Sequence, residues 1–275
     1  MKTSIDSYYR CLDFGEEGGL RMIRDAGFDM VDYSLFHPEK LGGLLDDDYM
    51  EKAAHTKALL KEIGLGIYQA HAPFDMKYGM AFDVSDPVFL GVVRSMEYAA
   101  YIGAKVIVVH GIRVPDVAEM IDYNEGYYKA LAPYCEKFNI RIAVENLVTS
   151  AFYTPELLDA MMARLDPKWF TICLDLGHAQ LQHMTTGAFL RKIGPGRISC
   201  LHVHDNDGVG DLHRIPFTGI MDWDDTIAAL KEIGYAGDMS LEINFVHEEL
   251  PMNLRPAGLR LCGAAARELA MRMEQ

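Results

Sequence analysis

The chain lacks any apolar run of about 18 residues, the minimum for a transmembrane helix, and its 275 residues contain no low-complexity tract or linker-like stretch. The opening MKTSIDSYYR has no apolar signal-peptide core and reads directly as strand. Cysteine is scarce: five residues, an odd number, with no CxxC pair, and Cys173 and Cys200 sit inside apolar strand-like sequence. Buried thiols in a reducing cytoplasm account for that pattern better than disulfides do. Positive charge is in deficit, with 26 Lys and Arg against 40 Asp and Glu for a net charge of −14. This disfavours nonspecific attraction to nucleic acid or to an anionic membrane. A dinucleotide fingerprint is also missing, because Gly208-Val209-Gly210 has no third glycine and follows no helix-opening turn.

What is present suits one large domain spanning 1–275, since half the residues are hydrophobic and 24% are charged. Strand-like and helix-like segments alternate from end to end. Strands are expected over 2–7, 28–33, 66–70, 105–109, 140–144, 170–174, 198–204 and 239–243. Helices are expected over 16–26, 49–63, 86–102, 123–138, 154–165, 186–193, 222–233 and 254–273. Asp46–Asp48 supply acids before the second helix, while Asp86-Pro87, Thr154-Pro155 and Asp222 supply N-terminal caps. Eight strands alternating with eight helices imply parallel pairing through right-handed crossovers. At this length a closed (βα)8 TIM barrel, an α/β fold, is more economical than an open doubly wound sheet.

In such a barrel, chemistry belongs at the carboxyl ends of the strands. The predicted strands end at His71, His110, Glu145, Asp175 (with His178 three residues on), His202 and Glu242, and Asp211 and His213 follow His202 in an acidic loop. Four of these residues stand two places after a small side chain: Ala143 before Glu145, Cys173 before Asp175, Cys200 before His202, and Ser240 before Glu242. Residues i and i+2 of a strand share a face, and the residues between (Val144, Leu174, Leu201, Leu241) are large and apolar. Two Glu, one Asp and one His therefore point inward over a narrow floor. Three converging carboxylates would repel one another without a cation, and a mixed carboxylate–imidazole set suits Mn, Fe, Co or Zn better than Mg or Ca.

Other residues carry weaker readings. His71 and His110 fit either a role at the site or hydrogen-bonded places on the rim. His204 reads as support for the site rather than as a ligand, and His37, His55, His183 and His247 receive no role. Asp205 and Asp207 fit a solvated turn around Asn206 as well as they fit a function. Tyr8, Phe74 and Trp223 are candidate walls of a substrate pocket, with ordinary packing as the equal alternative.

The ordered motifs HAPF (71–74), VVHG (108–111), AVENL (143–147), LDLGH (174–178), HVHDND (202–207), DLH (211–213) and LEIN (241–244) resemble the xylose-isomerase-like barrel superfamily. That superfamily joins sugar and sugar-phosphate isomerases and epimerases with endonuclease IV repair enzymes. The resemblance implies that Glu145, Asp175, His202 and Glu242 hold one divalent metal (Mn, Co or Zn) and that His178 helps hold substrate oxygens. Glu145 and Glu242 would act as an acid–base pair that inverts a carbon of a small polyhydroxylated substrate through an enediolate. His71, His110, His178, Asp211 and His213 match the additional ligands of endonuclease IV, so up to three metals and a multi-zinc phosphodiesterase form the alternative. A lyase or dehydratase of the same family is a further one. No basic, aromatic-interleaved loop for a kinked duplex is present, so no nucleic-acid partner is expected. A membrane partner is not expected either, and homo-oligomerisation stays open.

Overall fold

The computed structural model describes residues 1–35, 43–74, 77–149 and 151–275; His37 lies outside them. Its strands are β1 (Thr3–Ile5), β2 (Met30–Ser34), β3 (Gly66–His71), β4 (Val106–Val109), β5 (Arg141–Glu145), β6 (Phe170–Asp175), β7 (Ile198–His202) and β8 (Met239–Leu241). The helices between and after them are α1 (Tyr8–Asp25), α2 (Tyr49–Ile63), α3 (Pro87–Ile102), α4 (Val117–Phe138), α5 (Pro155–Met162), α6 (Leu176–Gln180), α7 (Thr186–Ile193), α8 (Trp223–Glu232), α9 (Phe245–Glu248) and α10 (Arg255–Glu274).

β2 to β7 pair in sequence order, and β1 pairs with β8, all in parallel. Parallel bridges at Asp6–Asp32 and Val203–Leu241 join the two sheets. The Ser7 N–H donates to the Asp32 carbonyl and the Val203 N–H to the Ser240 carbonyl, each at 2.9 Å. The eight strands thus form the closed TIM-barrel ring that the alternation requires.

Local chemistry sets the helix starts. Asp86, Thr154 and Asp222 each accept a backbone N–H of their own first turn, as N-caps do. Asp48 does not cap α2; it pairs with Lys52 at 2.9 Å, beside Asp46 at 2.8 Å. Two helices begin earlier than the periodicity indicates. α1 starts at Tyr8 and bends at Gly15, whose φ of 70° breaks the helical run. α4 starts at Val117 behind an Asp116 cap, in a turn exposed enough to carry no apolar stripe. The short α6 and α9 were not anticipated. α6 is nucleated by Asp175 itself, whose carboxylate accepts the His178 N–H at 2.7 Å.

The inward–outward alternation holds. Ala143, Cys173 and Cys200 meet Val106, Val108 and Tyr68 in a small cluster of their own. Val144, Leu174, Leu201 and Leu241 belong to the large core with the helices. That floor of small side chains leaves room above it for the strand-end groups.

Candidate metal centre and active site

Strand register assembles the centre. Asp175 lies opposite His202 and Glu145 opposite Cys173, so three neighbouring strands deliver Glu145, Asp175 and His202 to one level of the barrel mouth. Glu145 is 1% exposed and lies at the middle. Its Oε1 is 3.0 Å from His202 Nδ1, and its Oε2 is 2.8 Å from His110 Nε2 and 3.5 Å from His71 Nε2. Glu242 Oε2 approaches the same His202 Nδ1 at 3.3 Å from the β8 side.

Among the described residues three groups of possible ligands result, each with one ligand atom per residue and all such atoms within 4.8 Å of one another. The first is Glu145, Asp175, His202 and Glu242; the second is His71, His110 and Glu145; the third is His178, His204, Asp211 and His213. Every strand-end residue singled out from the sequence falls into one of them. The donor set fits a divalent ion of the Mn, Fe, Co or Zn type, with buried carboxylates crowded together and only imidazoles between them.

The imidazoles are aimed by partners that can only accept. Nδ1 of His71 donates to the Ala72 carbonyl at 2.7 Å, Nδ1 of His178 to the Asn146 carbonyl at 2.8 Å, and Nδ1 of His213 to the Glu242 carbonyl at 3.2 Å. Each bond leaves Nε2 facing the cluster, the usual way a ligating histidine is fixed. His202 is reversed, with Nδ1 facing the cluster and Nε2 turned to Asp32. The Asn146 side chain clasps the Asp175 backbone, donating to its carbonyl at 3.0 Å and accepting its N–H at 2.8 Å.

Electrostatics divides the mouth. Burial pushes the Glu145 carboxyl up, but His202 and His110 outweigh it and hold it well below its ordinary value. Asp175 is lowered in the same way by His178 and His204 against its burial. Burial lowers His178 and His213, yet Asp175 and Asp211 carry the first to about 10, and Asp211 and Glu242 carry the second to about 9. His110 is lowered, chiefly by burial, against the pull of Glu145.

The residues with weaker readings each take a defined place. His204 is fully buried, stacks on His213 with ring centres 4.0 Å apart, and joins the third ligand group. Its Nε2 lies 3.0 Å from Asp175. Asp205 is no solvated turn. It is buried, and its carboxylate accepts the N–H groups of Asn206, Phe217 and Met221 and the indole N–H of Trp223, at 3.0–3.1 Å. Asp207 is exposed and does form such a turn, accepting the Val209 and Gly210 N–H groups. Trp223, expected as a pocket wall or packing, packs: it is 5% exposed and bonded to Asp205. Phe74 stacks over His110 at 5.0 Å and edges onto His71 at 5.8 Å, beside the second ligand group. Tyr8 borders a separate cleft with Ser7, Tyr33 and Tyr98. His247 is held by Asp13 at 2.8 Å, away from the ligand groups.

Sequence reasoning passes over Asp6, Asp32, Gln69 and Asn146, all buried, and reads Arg10, also buried, as one of a few scattered rim cations that could meet a substrate's phosphate or carboxylate. Arg10 forks onto Asp6 at 3.0 and 3.1 Å and reaches the Ile243 carbonyl at 2.6 Å, fixing the backbone just after Glu242. Asp32 had a legible signal, since it lies between the large apolar Val31 and Tyr33, in the alternation used for the other four acids and histidine.

Comparison with known proteins agrees with this architecture. The chain matches the family described as xylose isomerase-like TIM barrel over residues 20–259, and it belongs to that family. An uncharacterized protein of Sinorhizobium fredii is 25% identical over 266 residues, covering 86% of this chain and 83% of that one. Among solved structures, a D-tagatose 3-epimerase-like protein superposes with a TM-score of 0.80 at 23% identity, covering 100% of this chain and 97% of the other. A D-psicose 3-epimerase studied in the presence of D-fructose superposes with a TM-score of 0.71 at 17% identity, covering 98% of each chain. These structural likenesses show the fold. No helix among the described residues is long and apolar enough to cross a membrane.

Proposed function

We propose that this chain is an enzyme of the isomerase class, a divalent-metal-dependent sugar or sugar-phosphate epimerase or isomerase working in the cytoplasm. The observation that carries this reading is the convergence of Glu145 and Glu242 from β5 and β8 on the same His202 nitrogen, at 3.0 and 3.3 Å, with Asp175 in the same ligand group. Glu145, Asp175, His202 and Glu242 would hold the ion, Mn, Co or Zn by donor type. When bound, such an ion polarises a sugar carbonyl and its neighbouring hydroxyl.

The chain's own groups supply the proton chemistry. One of the two glutamates takes the carbon-bound proton, leaving an enediolate, and the other returns a proton from the opposite face. His178, anchored by Asn146 and Asp211, orients substrate oxygens, and Phe74 covers the second ligand group. The test is solvent exchange: the chain, loaded with Mn2+ or Co2+, is incubated in heavy water with a panel of ketoses, and deuterium at carbon is followed by NMR. Wash-in that falls at least ~10³-fold in Glu145→Gln and in Glu242→Gln is the expected result. Absence of exchange across the panel overturns the reading.

The three ligand groups favour a second reading, a multi-zinc phosphodiesterase. About three zinc ions per chain together with nicking of an abasic-site duplex would establish it. The net charge of −14 argues against that substrate.

A further inference from the structure

The geometry points to Asp32 as a positioning residue that fixes which nitrogen His202 offers to the metal, an inference that rests on the metal-dependent reading above. Three histidines of the centre are oriented by backbone carbonyls through Nδ1, and their Nε2 faces inward. His202 is the exception: its Nδ1 faces Glu145 and Glu242, and its Nε2 lies 3.3 Å from Asp32 Oδ2. Among the described residues that nitrogen completes no hydrogen bond, and Asp32 Oδ1 likewise has no hydrogen-bond partner. The two side chains, each 1% exposed, thus lie against one another inside the barrel, with Asp32 Oδ2 the oxygen at 3.3 Å from the imidazole nitrogen.

Asp32 reaches this place because its strand alternates. Val31 and Tyr33 are buried in the large core outside the ring, so the residue between them points inward. Its backbone helps close the barrel through the Asp6–Asp32 bridge. Its carboxylate oxygen Oδ2 accepts the side-chain N–H of Gln69 at 2.7 Å, and that same amide approaches the Leu201 carbonyl, next to His202, at 3.4 Å. Gln69 thus ties the carboxylate to β7. A buried carboxylate with one amide as its only hydrogen-bond donor among the described residues is costly, and a proton on His202 Nε2, 3.3 Å from Oδ2, would relieve it. Keeping the proton on Nε2 leaves the Nδ1 lone pair directed between Glu145 and Glu242. A histidine in the opposite tautomer would present an N–H to the cation. Asp32 belongs to none of the three ligand groups, so its action is through His202.

The test uses the full chain. Affinity for Mn2+ is measured by calorimetry for wild type, Asp32→Asn, Asp32→Leu and Gln69→Leu, with the unfolding temperature of each metal-free protein as a check on folding. Histidine 15N spectra of the Zn2+-loaded chain, with His202 assigned by loss of its signals in His202→Gln, report the tautomer directly. In wild type His202 is expected to be protonated on Nε2. Asp32→Asn, close to isosteric, is expected to lose about 10- to 100-fold in affinity with little change in metal-free unfolding temperature. Gln69→Leu should lose less. Unchanged affinity and tautomer in Asp32→Asn overturn the inference. So does a fall in affinity that merely tracks a fall in unfolding temperature while the tautomer stays as in wild type. If wild type itself takes up neither ion, the metal reading fails and this inference fails with it. Failure of Asp32 alone is recognised by tight binding in wild type and variants alike.

Discussion

The two flanks of the barrel mouth hold the same residue type in different electrostatic settings. On the β3–β4 side, His71 and His110 approach each other at 3.1 Å and share a single carboxylate, Glu145. On the β6–β7 side, His178 and His213 both contact Asp211, with Asp175 and Glu242 close by. Burial penalises the imidazolium form on both sides. On the β3–β4 side it prevails at His110, which is lowered, but is overcome at His71, which Glu145 raises; on the β6–β7 side it is overcome at both His178 and His213, carried to about 10 and about 9. Depth in the protein alone therefore does not decide whether a histidine here is charged; the carboxylates within reach weigh against it, and the balance differs even between His71 and His110, which share Glu145. His110 is biased toward a neutral imidazole, whereas His71, His178 and His213 are biased toward the charged form and must release a proton before they can coordinate a cation.

The sharpest way to break this contrast is Glu145→Gln. It strips the β3–β4 flank of its carboxylate in the second ligand group and takes one of three from the first, while the third group keeps Asp211. Cation affinity at the first two groups is expected to fall by ~100-fold or more, with uptake at the third retained, as read by calorimetric stoichiometry. Parallel loss at all three would show that the flanks are one unit. Next in size is Asp205→Ala. The buried Asp205 carboxylate gathers four N–H groups of the loop that carries Asp211 and His213, and orphaning them should cost about 3 kcal/mol or more. A drop of several degrees in unfolding temperature is the readout, whereas Asp207→Asn, in the exposed turn, should leave it unchanged.

The pH dependence of the metal-free chain sharpens the comparison further. His178 and His213 have pKa values raised from 6.5 to about 10 and about 9. A raised folded-state value means that the stabilisation is complete below about 6.5 and disappears as pH climbs through the folded value. Unfolding temperature should therefore decline between pH 7 and 10. The smallest expected effect comes from repeating that titration with His178→Gln, which should flatten the decline in part and leave the remainder to His213 and to His71 and His202, which despite burial are also raised by neighbouring carboxylates. His110→Gln should not alter the slope. An unaltered slope in His178→Gln would show that the charge on the β6–β7 flank lies elsewhere.

How far the site was legible depended on what each residue's signal rested on. Glu145, Asp175, His202 and Glu242 were readable because strand periodicity is local and each follows a small inward neighbour. Asp32 shared the alternation but stands two places after Met30 rather than a small residue and ends no recognised motif, so its signal was overlooked. Asp205 misled for another reason. It sits in a run of polar residues that looks like a solvated turn, and only the fold of 205–223 back over it supplies its four donors. The early starts of α1 and α4 were invisible because their first turns are capped or bent by backbone geometry rather than marked by an apolar stripe.

By itself the sequence determined the alternation of eight strands and eight helices, the small-residue floor and the set of acids and imidazoles at the strand ends. These follow from periods of 2.0 and 3.6 residues, which act over a few positions. Only the tertiary structure decided which groups share a cation site, which histidine nitrogen faces it and which histidines carry charge. Those outcomes depend on interatomic distances of 3–4 Å between residues far apart in the chain, and closure of the barrel alone sets them.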